Sequence, residues 1–382
     1  MIPYELAVLE KKESFDLFLK KALPHREPGE ECPSNLSEVA DALSDKCKGL
    51  PLALIVLGGL ISFRDKTYHE WKKLLDTMNW HEEGKECMKI LAMSYKDMPY
   101  HLKNCFLYLA SFPKDYEISA RRLIRMWVAE ELIPYDEKKT MELKAEECLK
   151  QLVHRSMIQV SSRHSIGSIK SCRLHDLLRD LAMHEAGKEN FITVFPKPQG
   201  VNHLDDKVIR RASLKIHSFD CLKFINCVDK NTRSLFWFGE SIFRDTSLYR
   251  LNMVKFRLVR VVEIEKHRNI VAVGLEGLIH MKYLGLRDCH TLGWPSNFSW
   301  FLLKNLETLD IRGTMSHFPS DGPLTDLWRI GTLRHVLSSS YLPFNGPPSN
   351  VNLTNLQSLQ WVYGHVQTWR KNQLPFLKTC ES

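Results

Sequence analysis

A leucine pattern recurs in the C-terminal part of the sequence and constrains the fold more than any other feature. The template L-x-x-L-x-x-L-x-L, with other apolar residues replacing some leucines, starts at Leu278, Leu303, Ile330 and Leu353, so the copies are 25, 27 and 23 residues apart. A weaker copy starts at Phe256. One copy cannot bury its own apolar residues, so successive copies must stack, each contributing one strand to a common sheet.

The period and the template are those of the leucine-rich repeat, which stacks into an α/β solenoid. Two strand-like runs, at 207–218 and 231–239, precede the first copy. We therefore predict that residues 201–382 form a leucine-rich-repeat solenoid. The concave surface of such a solenoid is a typical site for protein partners.

The first 85 residues are predicted to form a bundle of short helices. Asn35, with Glu38 three residues later, gives a capping-box pattern that begins one helix. Pro51 suits the first position of the next helix, which is apolar nearly all round and therefore belongs at the centre of the bundle. The apolar run 50–61 has 12 residues, which is too short to span a bilayer.

Residues 86–200 combine helices with a hairpin. Helical patterns occupy 86–98, 101–111, 119–132 and 140–155, two strand-like runs follow at 157–162 and 168–174, and another helix comes next. This order is compatible with a winged helix. The predicted fold class is therefore a multidomain chain, with an α-helical bundle and a winged helix followed by an α/β leucine-rich-repeat solenoid.

Composition indicates an ordinary cytoplasmic protein. Lysine and arginine number 53 against 45 aspartates and glutamates, a mild excess that does not by itself indicate nucleic acid. The ten cysteines include no C-x-x-C pair, so we expect reduced thiols and no metal site. The N-terminal segment carries charges throughout, which is unlike a secretory signal peptide.

The segment CRLHDLLRDLA, residues 172–182, is the candidate binding segment. Its leucines form one apolar stripe of a helix, and His175 and Asp176 fall off that stripe at the helix start. The N–H groups and partial positive charge of a helix N-terminus attract phosphate and favour a neutral imidazole. Taken alone, His175 can equally be a surface histidine, and Asp176 a simple first-turn acid.

Three motif segments precede the repeats in a fixed order. They are KCKGLPLALIVLGGLI (46–61), LKNCFLYLASFPKDYEISARRLIRMWVAEELI (102–133), and LVHRSMIQV (152–160) followed by the segment at 172–182, in which Leu174 precedes His-Asp. In order and spacing these segments resemble the GLPLA, Trp-x-Ala-Glu and Met-His-Asp motifs of plant nucleotide-binding, leucine-rich-repeat immune receptors, in the version typical of the coiled-coil class. The resemblance covers nearly the whole chain.

The resemblance implies a function and a site. It makes residues 1–85 the end of a nucleotide-binding core followed by the first ARC helical bundle, and residues 86–200 the second ARC subdomain, a winged helix. Together these belong to an NB-ARC switch, which responds to ADP and ATP in plant innate immunity. His175 would bind the β-phosphate of ADP in the resting state, Asp176 would support that contact, and Pro51 would pack beside the adenine. Protein partners, namely a pathogen effector, a guarded host protein or a full-length receptor, would bind through the leucine-rich repeats.

The sequence departs from the family in one respect that bears on nucleotide binding. The P-loop pattern G-x-x-x-x-G-K-[ST], which supplies a backbone cradle, a phosphate-binding lysine and an Mg²⁺-binding hydroxyl, is absent. Because the sequence begins just before the GLPLA motif, we expect an N-terminally truncated relative that does not hydrolyse ATP. Pro51 and His175 alone predict millimolar ADP affinity at best, about −4 kcal/mol.

Two other functions fit parts of the sequence. A winged-helix nucleic-acid binder would use Arg121, Arg122 and Arg125 as a basic helix face, although these arginines also suit a helix packed inside the protein. A purely scaffolding leucine-rich-repeat protein is the other possibility. An enzyme is not expected, since no nucleophile and base can be paired from the sequence.

Overall fold

The structure is a computed structural model. It describes residues 7–25, 31–78, 86–195, 208–215, 228, 230–239, 249–267, 270–291, 299–316, 323–338, 354–360 and 379–381. By density of contacts the chain divides into two compact units. The first comprises Met1–Leu109, Lys114–Arg121 and Pro134–Glu185, and the second Ala110–Pro113, Arg122–Ile133 and Ala186–Ser382. The domain divisions expected after residues 85 and 200 stay predictions.

The N-terminal part of the first unit is helical. Its helices are α1 (Lys11–Ala22), α2 (Ser34–Asp45), α3 (Pro51–Ile61), α4 (Tyr68–Thr77), α5 (Glu86–Asp97) and α6 (Tyr100–Tyr108). Nine of the eleven residues of α3 are buried, and this helix packs against α1 and α5. The all-round apolar sequence of α3 therefore lies at the centre of the bundle, as predicted.

Of the two predicted helix starts, one is confirmed and one is wrong. Pro51 is the first residue of α3, as predicted. At the start of α4, the Thr67 hydroxyl accepts a hydrogen bond from the Glu70 amide. The cap predicted at Asn35 is wrong, because α2 begins at Ser34 after Pro33 without a side-chain cap. Proline fixes φ near the helical value, so it can lead the chain into a helix without a capping hydroxyl.

Residues 109–188, which belong partly to the first unit and partly to the second, have the element order of a winged helix. After a 3₁₀ turn at Leu109–Ser111 come β1 (Ile118–Ser119), α7 (Ala120–Ala129), α8 (Met141–His154), β2 (Gln159–Arg163), β3 (Ile169–Arg173) and α9 (Asp176–Lys188). The three strands form an antiparallel sheet in the order β1-β3-β2. Both predicted strands of the hairpin are confirmed, and residues 122–129 of α7 belong to the second compact unit.

The second unit is built from stacked strands. A parallel sheet contains β4 (Thr193–Phe195), β5 (Arg211–Lys215), β6 (Ser234–Phe238), β8 (Val261–Glu265), β10 (Tyr283–Arg287), β12 (Thr308–Ile311), β14 (His335–Ser338), β15 (Ser358–Gln360) and β16 (Thr379–Glu381), in that order across the sheet. A second parallel sheet contains β7 (Tyr249–Asn252), β9 (Ile270–Val273), β11 (His290–Thr291) and β13 (Met315–Ser316). Every copy of the leucine template contributes one strand to the larger sheet, which confirms the predicted solenoid-like stacking.

The two faces of the larger sheet differ in chemistry because successive strand residues point to opposite faces. Leucines, isoleucines and valines of one face, such as Val262, Leu284 and Leu309, are buried in one apolar core. The opposite face carries polar residues, which include Glu263 and Asp310. Residues 122–133, here called the covering segment, lie in the same compact unit and contact this polar face.

None of the described helices is both long enough and apolar enough to cross a bilayer.

Candidate functional site

His175 caps the N-terminus of α9. Its carbonyl oxygen accepts the first helical hydrogen bond, from the Arg179 amide at 2.9 Å, and its ring Nδ1 accepts from the Leu177 amide at 3.3 Å. The buried stripe of α9, which includes Leu178 and Leu181, holds the helix in place and leaves the ring of His175 half-buried beside it. Because Nδ1 accepts a hydrogen bond, the neutral ring carries its proton on Nε2. His175 therefore offers one N–H donor at a helix N-terminus.

Asp176, the first residue of α9, is held by Lys114. The ammonium Nζ of Lys114 lies 2.7 Å from Oδ2 of Asp176. The hydrogen bond from Lys114 lowers the pKa of the Asp176 carboxyl, and the same contact raises the pKa of Lys114. Asp176 therefore stays ionised at neutral pH and complements the partial positive charge of the helix end. Its other oxygen, Oδ1, is buried without a hydrogen-bond partner among the described residues.

Pro51 lies elsewhere in the first unit. It is exposed at the first position of α3, next to the 37 % exposed Leu50. Val8 is also exposed, and the neighbouring Leu9 amide donates to the Gly49 carbonyl at 3.0 Å. The structure therefore places His175 and Asp176 side by side, whereas no hydrogen bond or ion pair between described residues joins Pro51 to them.

These residues fit one anionic contact and not a complete ADP site. The Nε2–H of His175 can donate to one phosphate oxygen, and exposed Pro51 with Leu50 offers an apolar surface suited to a planar base. A diphosphate in P-loop proteins is held by a run of backbone N–H groups and a lysine, and the sequence has no such pattern. Lys114 is already engaged by Asp176. The arrangement can orient an anion weakly and supplies no group for phosphoryl transfer.

A buried ion network, which was not predicted, lies in the second unit. Nη2 of Arg122, on the covering segment, lies 2.6 Å from Oε1 of Glu263 and 2.8 Å from Oε2 of Glu265. All three side chains are at most 5 % exposed. Next to them, the Arg312 guanidinium donates to both carboxylate oxygens of Asp310, at 2.8 and 2.6 Å.

Burial and ion pairing shift the pKa values of this network in opposite directions. Burial raises the pKa of Glu263, against the opposing charge of Arg122. Burial also acts to raise the pKa of Asp310, but the hydrogen bond from Arg312 and its charge outweigh that effect and hold the pKa below its usual range. Glu263 therefore relies on Arg122 to stay ionised, whereas Asp310 is ionised over a wider pH range.

Further contacts attach the covering segment to the same face. Nε of Arg211 donates to Oε1 of Glu130 at 2.7 Å, and the hydroxyl of Ser234 contacts the other oxygen of Glu130. Arg260 and Lys282 bind Glu131 at 2.5 and 3.1 Å. A sequence signal for these contacts existed in the alternation of V-V-E-I-E at 261–265, where both glutamates fall on the face opposite the core residues.

Residues 112–182 match the sequence model of the family described as "Disease resistance protein Winged helix domain". Curated relatives match nearly the whole chain. A protein of Arabidopsis thaliana named "Putative disease resistance RPP13-like protein 3" is 33% identical over 99% of this chain. "ToMV susceptible protein tm-2" of Solanum lycopersicum is 29% identical over 94% of it, and "Probable disease resistance RPP8-like protein 2" of Arabidopsis thaliana is 30% identical over 82%.

The match covers 43% of the length of the first two relatives and 35% of the third, so this chain spans less than half of each. The winged-helix match falls on the elements from β1 to α9, and the matches to the relatives also cover the stacked repeats. The chain belongs to the plant NB-ARC leucine-rich-repeat disease resistance proteins.

Proposed function

We propose that this protein acts in the plant defence response through protein–protein contacts, in the cytoplasm, and that it catalyses no reaction. The observation that carries the proposal is the stack of parallel strands joined to a winged helix, in a chain whose relatives are named as disease resistance proteins. Such stacks present extended surfaces that suit protein partners. A pathogen effector, a guarded host protein or a full-length receptor would be the partner.

Nucleotide has a secondary role in this proposal. The Nε2–H of His175 would donate to a phosphate oxygen of ADP, while the ion pair between Lys114 and Asp176 keeps the helix start in place. Pro51 would offer its exposed face to the adenine. Since one donor and one apolar surface give little binding energy, we expect a Kd in the millimolar range, about −4 kcal/mol.

Calorimetric titration with ADP, and with ATP plus Mg²⁺, tests the nucleotide role. Titrations of the wild type, of His175→Ala and of His184→Ala separate the capping histidine from an exposed histidine on the same helix. Millimolar binding that only His175→Ala weakens would support the proposed contact. Micromolar binding would refute the expected weakness, and the absence of any binding would remove nucleotide from the proposal and leave the protein contacts in place.

The defence role is tested in plants. Lines that lack the protein and lines complemented with it are challenged with a panel of pathogens, and pathogen growth and local cell death are measured. The proposal expects that loss of the protein changes resistance to at least one pathogen and that complementation restores it. Unchanged growth and cell death across the panel would contradict the proposal.

The nucleic-acid alternative loses its structural basis. Arg122 is buried in ion pairs with two glutamates, and Arg125 is buried with its Nη2 3.5 Å from the hydroxyl of Ser358. Two of the three arginines that would form a basic helix face therefore do not face solvent. A phosphate backbone needs exposed cations, and of these three arginines only Arg121 is exposed.

A further inference from the structure

The polar face of the larger sheet is not open to a partner in this structure. Glu263, Asp310 and Ser213 on that face are buried, and the ion pairs of the covering segment cross it. The hydroxyl of Ser213 donates to the carbonyl of Ser111 at 2.5 Å, so residues 110–113 also cover part of the face. A partner of the described repeats must therefore contact another surface.

One exposed edge of the repeats carries a groove. Before β8 and β10 the chain exposes Val254, Leu258 and Ile279, at 56, 42 and 52 %. These three residues, together with Arg257, Gly274, Gly277 and His280, line an open cavity of about 570 Å³. That volume lies within the range of small-ligand and peptide-side-chain pockets. Grouped exposed apolar residues on a solenoid edge are more informative than scattered ones.

Several contacts fix the backbone that lines the groove. The Asn305 amide donates to the Ile279 carbonyl at 2.6 Å, which ties the groove to the next repeat. Gly274 has a φ of +80°, and a Cβ there would lie 2.5 Å from Cγ2 of Val254. The Leu278 amide also donates to the Leu275 carbonyl at 3.0 Å. The backbone that carries the apolar side chains is therefore ordered by its own contacts, so a partner does not have to order it on binding.

The charge of this edge favours an acidic occupant. The segments before the strands, 253–260, 274–282, 299–307 and 326–334, carry seven lysines or arginines and three acidic residues. Of the acidic residues, Glu307 pairs with Lys282 at 3.2 Å and Asp326 with Arg329 at 3.7 Å. Glu131 of the covering segment also binds Arg260 and Lys282, which leaves a smaller positive excess that includes the exposed Arg257. An edge with excess positive charge attracts acidic partners and repels basic ones.

We propose that the groove lined by Val254, Arg257, Leu258 and Ile279 binds an acidic segment of a partner protein that inserts apolar side chains between them. The inference rests on the proposed function in protein contact and names the partner's chemistry. Apolar side chains would fill the cavity, while aspartates or glutamates beside them would meet Arg257 and His280. Both features are needed, because an apolar pocket alone does not discriminate among partners.

Selection of phage-displayed random 12-residue peptides on the full chain tests the proposal. The counter-selection variant is Gly277→Trp, since a Cβ at Gly277 meets no atom within 4 Å and the indole would occupy the groove. We expect the enriched peptides to combine aspartate or glutamate with leucine, phenylalanine or tryptophan. Enrichment of basic or uncharged peptides, or equal recovery on the counter-selection variant, would overturn the proposal.

Affinities of the selected peptides, measured by fluorescence anisotropy, locate the site. Gly277→Trp and Arg257→Glu are each expected to weaken binding at least tenfold, and binding is expected to weaken as salt rises. The matched controls are Gly187→Trp, which is also in open space, and Lys170→Glu, which is exposed; both should change affinity less than twofold. Equal losses in a variant and its control would overturn the assignment. Circular dichroism checks that each variant folds. If Gly277→Trp does not fold, Arg257→Glu alone still tests the site.

Four further outcomes separate this inference from its alternatives and from the proposed function. Duplex DNA or RNA binding that Arg257→Glu abolishes would replace the acidic peptide with nucleic acid, and self-association that Gly277→Trp abolishes would replace it with a second copy of the chain. In plants, a line that carries Gly277→Trp and has full resistance would overturn the assignment of the groove as a binding site, while the defence role stands. If loss of the whole protein changes no resistance, the proposed function fails whatever the peptides show.

Discussion

Replacing Arg122 with methionine is expected to destabilise the second compact unit more than a substitution of any exposed residue does. The guanidinium of Arg122 lies 2.6 Å from Glu263 and 2.8 Å from Glu265, and none of these side chains is more than 5 % exposed. Without Arg122, Arg287 and Lys266 are the nearest cations among the described residues, at 3.8 and 4.0 Å from Glu265, and neither forms an ion pair with Glu263 there. Methionine fills much of the vacated volume, so loss of charge compensation dominates over cavity formation.

The expected cost is about 3–5 kcal/mol, because removing one partner leaves a buried charge uncompensated. We place it in the upper half of that range, since two carboxylates share the one guanidinium. Hydrogen exchange measured by mass spectrometry on peptides from residues 120–133 reports opening of this segment, and urea unfolding followed by tryptophan fluorescence reports global loss. Arg121→Met, an exposed neighbour on the same helix, is the matched control and should cost less than about 0.5 kcal/mol.

The penalty should depend on pH in a defined direction. Burial raises the pKa of Glu263 in the folded protein, so ionised Glu263 opposes folding above that pKa and this cost disappears as pH falls through it. The Arg122→Met penalty is therefore largest near pH 8 and shrinks toward pH 5. Asp310 has a lowered pKa and stays ionised in that window, so it does not mask the trend.

A second substitution tests the cause. Glu263→Gln in the Arg122→Met background removes one uncompensated charge and should recover about half of the lost stability or more. A single-variant cost below about 1 kcal/mol would refute the argument that these charges are buried and coupled. A penalty that does not change between pH 8 and pH 5 would refute the assignment of the cost to Glu263.

Two further predictions concern packing and thiol chemistry. Gly285→Ala should destabilise the protein by about 1–3 kcal/mol in urea unfolding, since a Cβ there overlaps the Glu263 carboxylate. The control Gly277→Ala, where the Cβ lies in open space, should be nearly neutral, and equal effects of the two variants would contradict the close packing. Burial raises the pKa of the Cys172 thiol to about 12, so Cys172 should resist iodoacetamide at pH 8 in the native protein. Half-buried Cys32 should react faster, and equal labelling rates of the two thiols would contradict the burial of Cys172.

The sequence was sufficient to predict the elements of the repeats. The period of the leucine template marks one strand per copy, and the four copies and the weaker one at Phe256 each supply a strand of the larger sheet. Local pattern sufficed because each repeat packs mainly on its neighbours, so the buried positions recur at the same place in every copy. The hairpin before α9 could likewise be predicted from its alternating residues and central glycine.

The contacts of the covering segment could not be predicted in the same way. Glu263 and Arg122 are 141 residues apart in sequence, and no local pattern in either segment indicates that the two side chains pair. Arginines in 121–125 suit exposure, a cap or a buried ion pair equally well until the tertiary structure brings the acids to them. Similarly, the prediction that His175 contacts a phosphate did not include the hydrogen bond that its Nδ1 accepts from the Leu177 amide of the same helix.

The buried ion network also specifies where the covering segment docks. At the level of Glu263 and Glu265, the neighbouring strand β6 presents Phe236 and Phe238, and β10 on the other side presents Gly285 and Arg287. A shift of Arg122 by one strand would place its charge against aromatic rings or against another arginine, and both glutamates would lose their ion pair with Arg122. An apolar face of the same area would tolerate such a shift, because apolar contact is not directional. The charges therefore select one register of the segment on the sheet, which an apolar surface of equal size could not select.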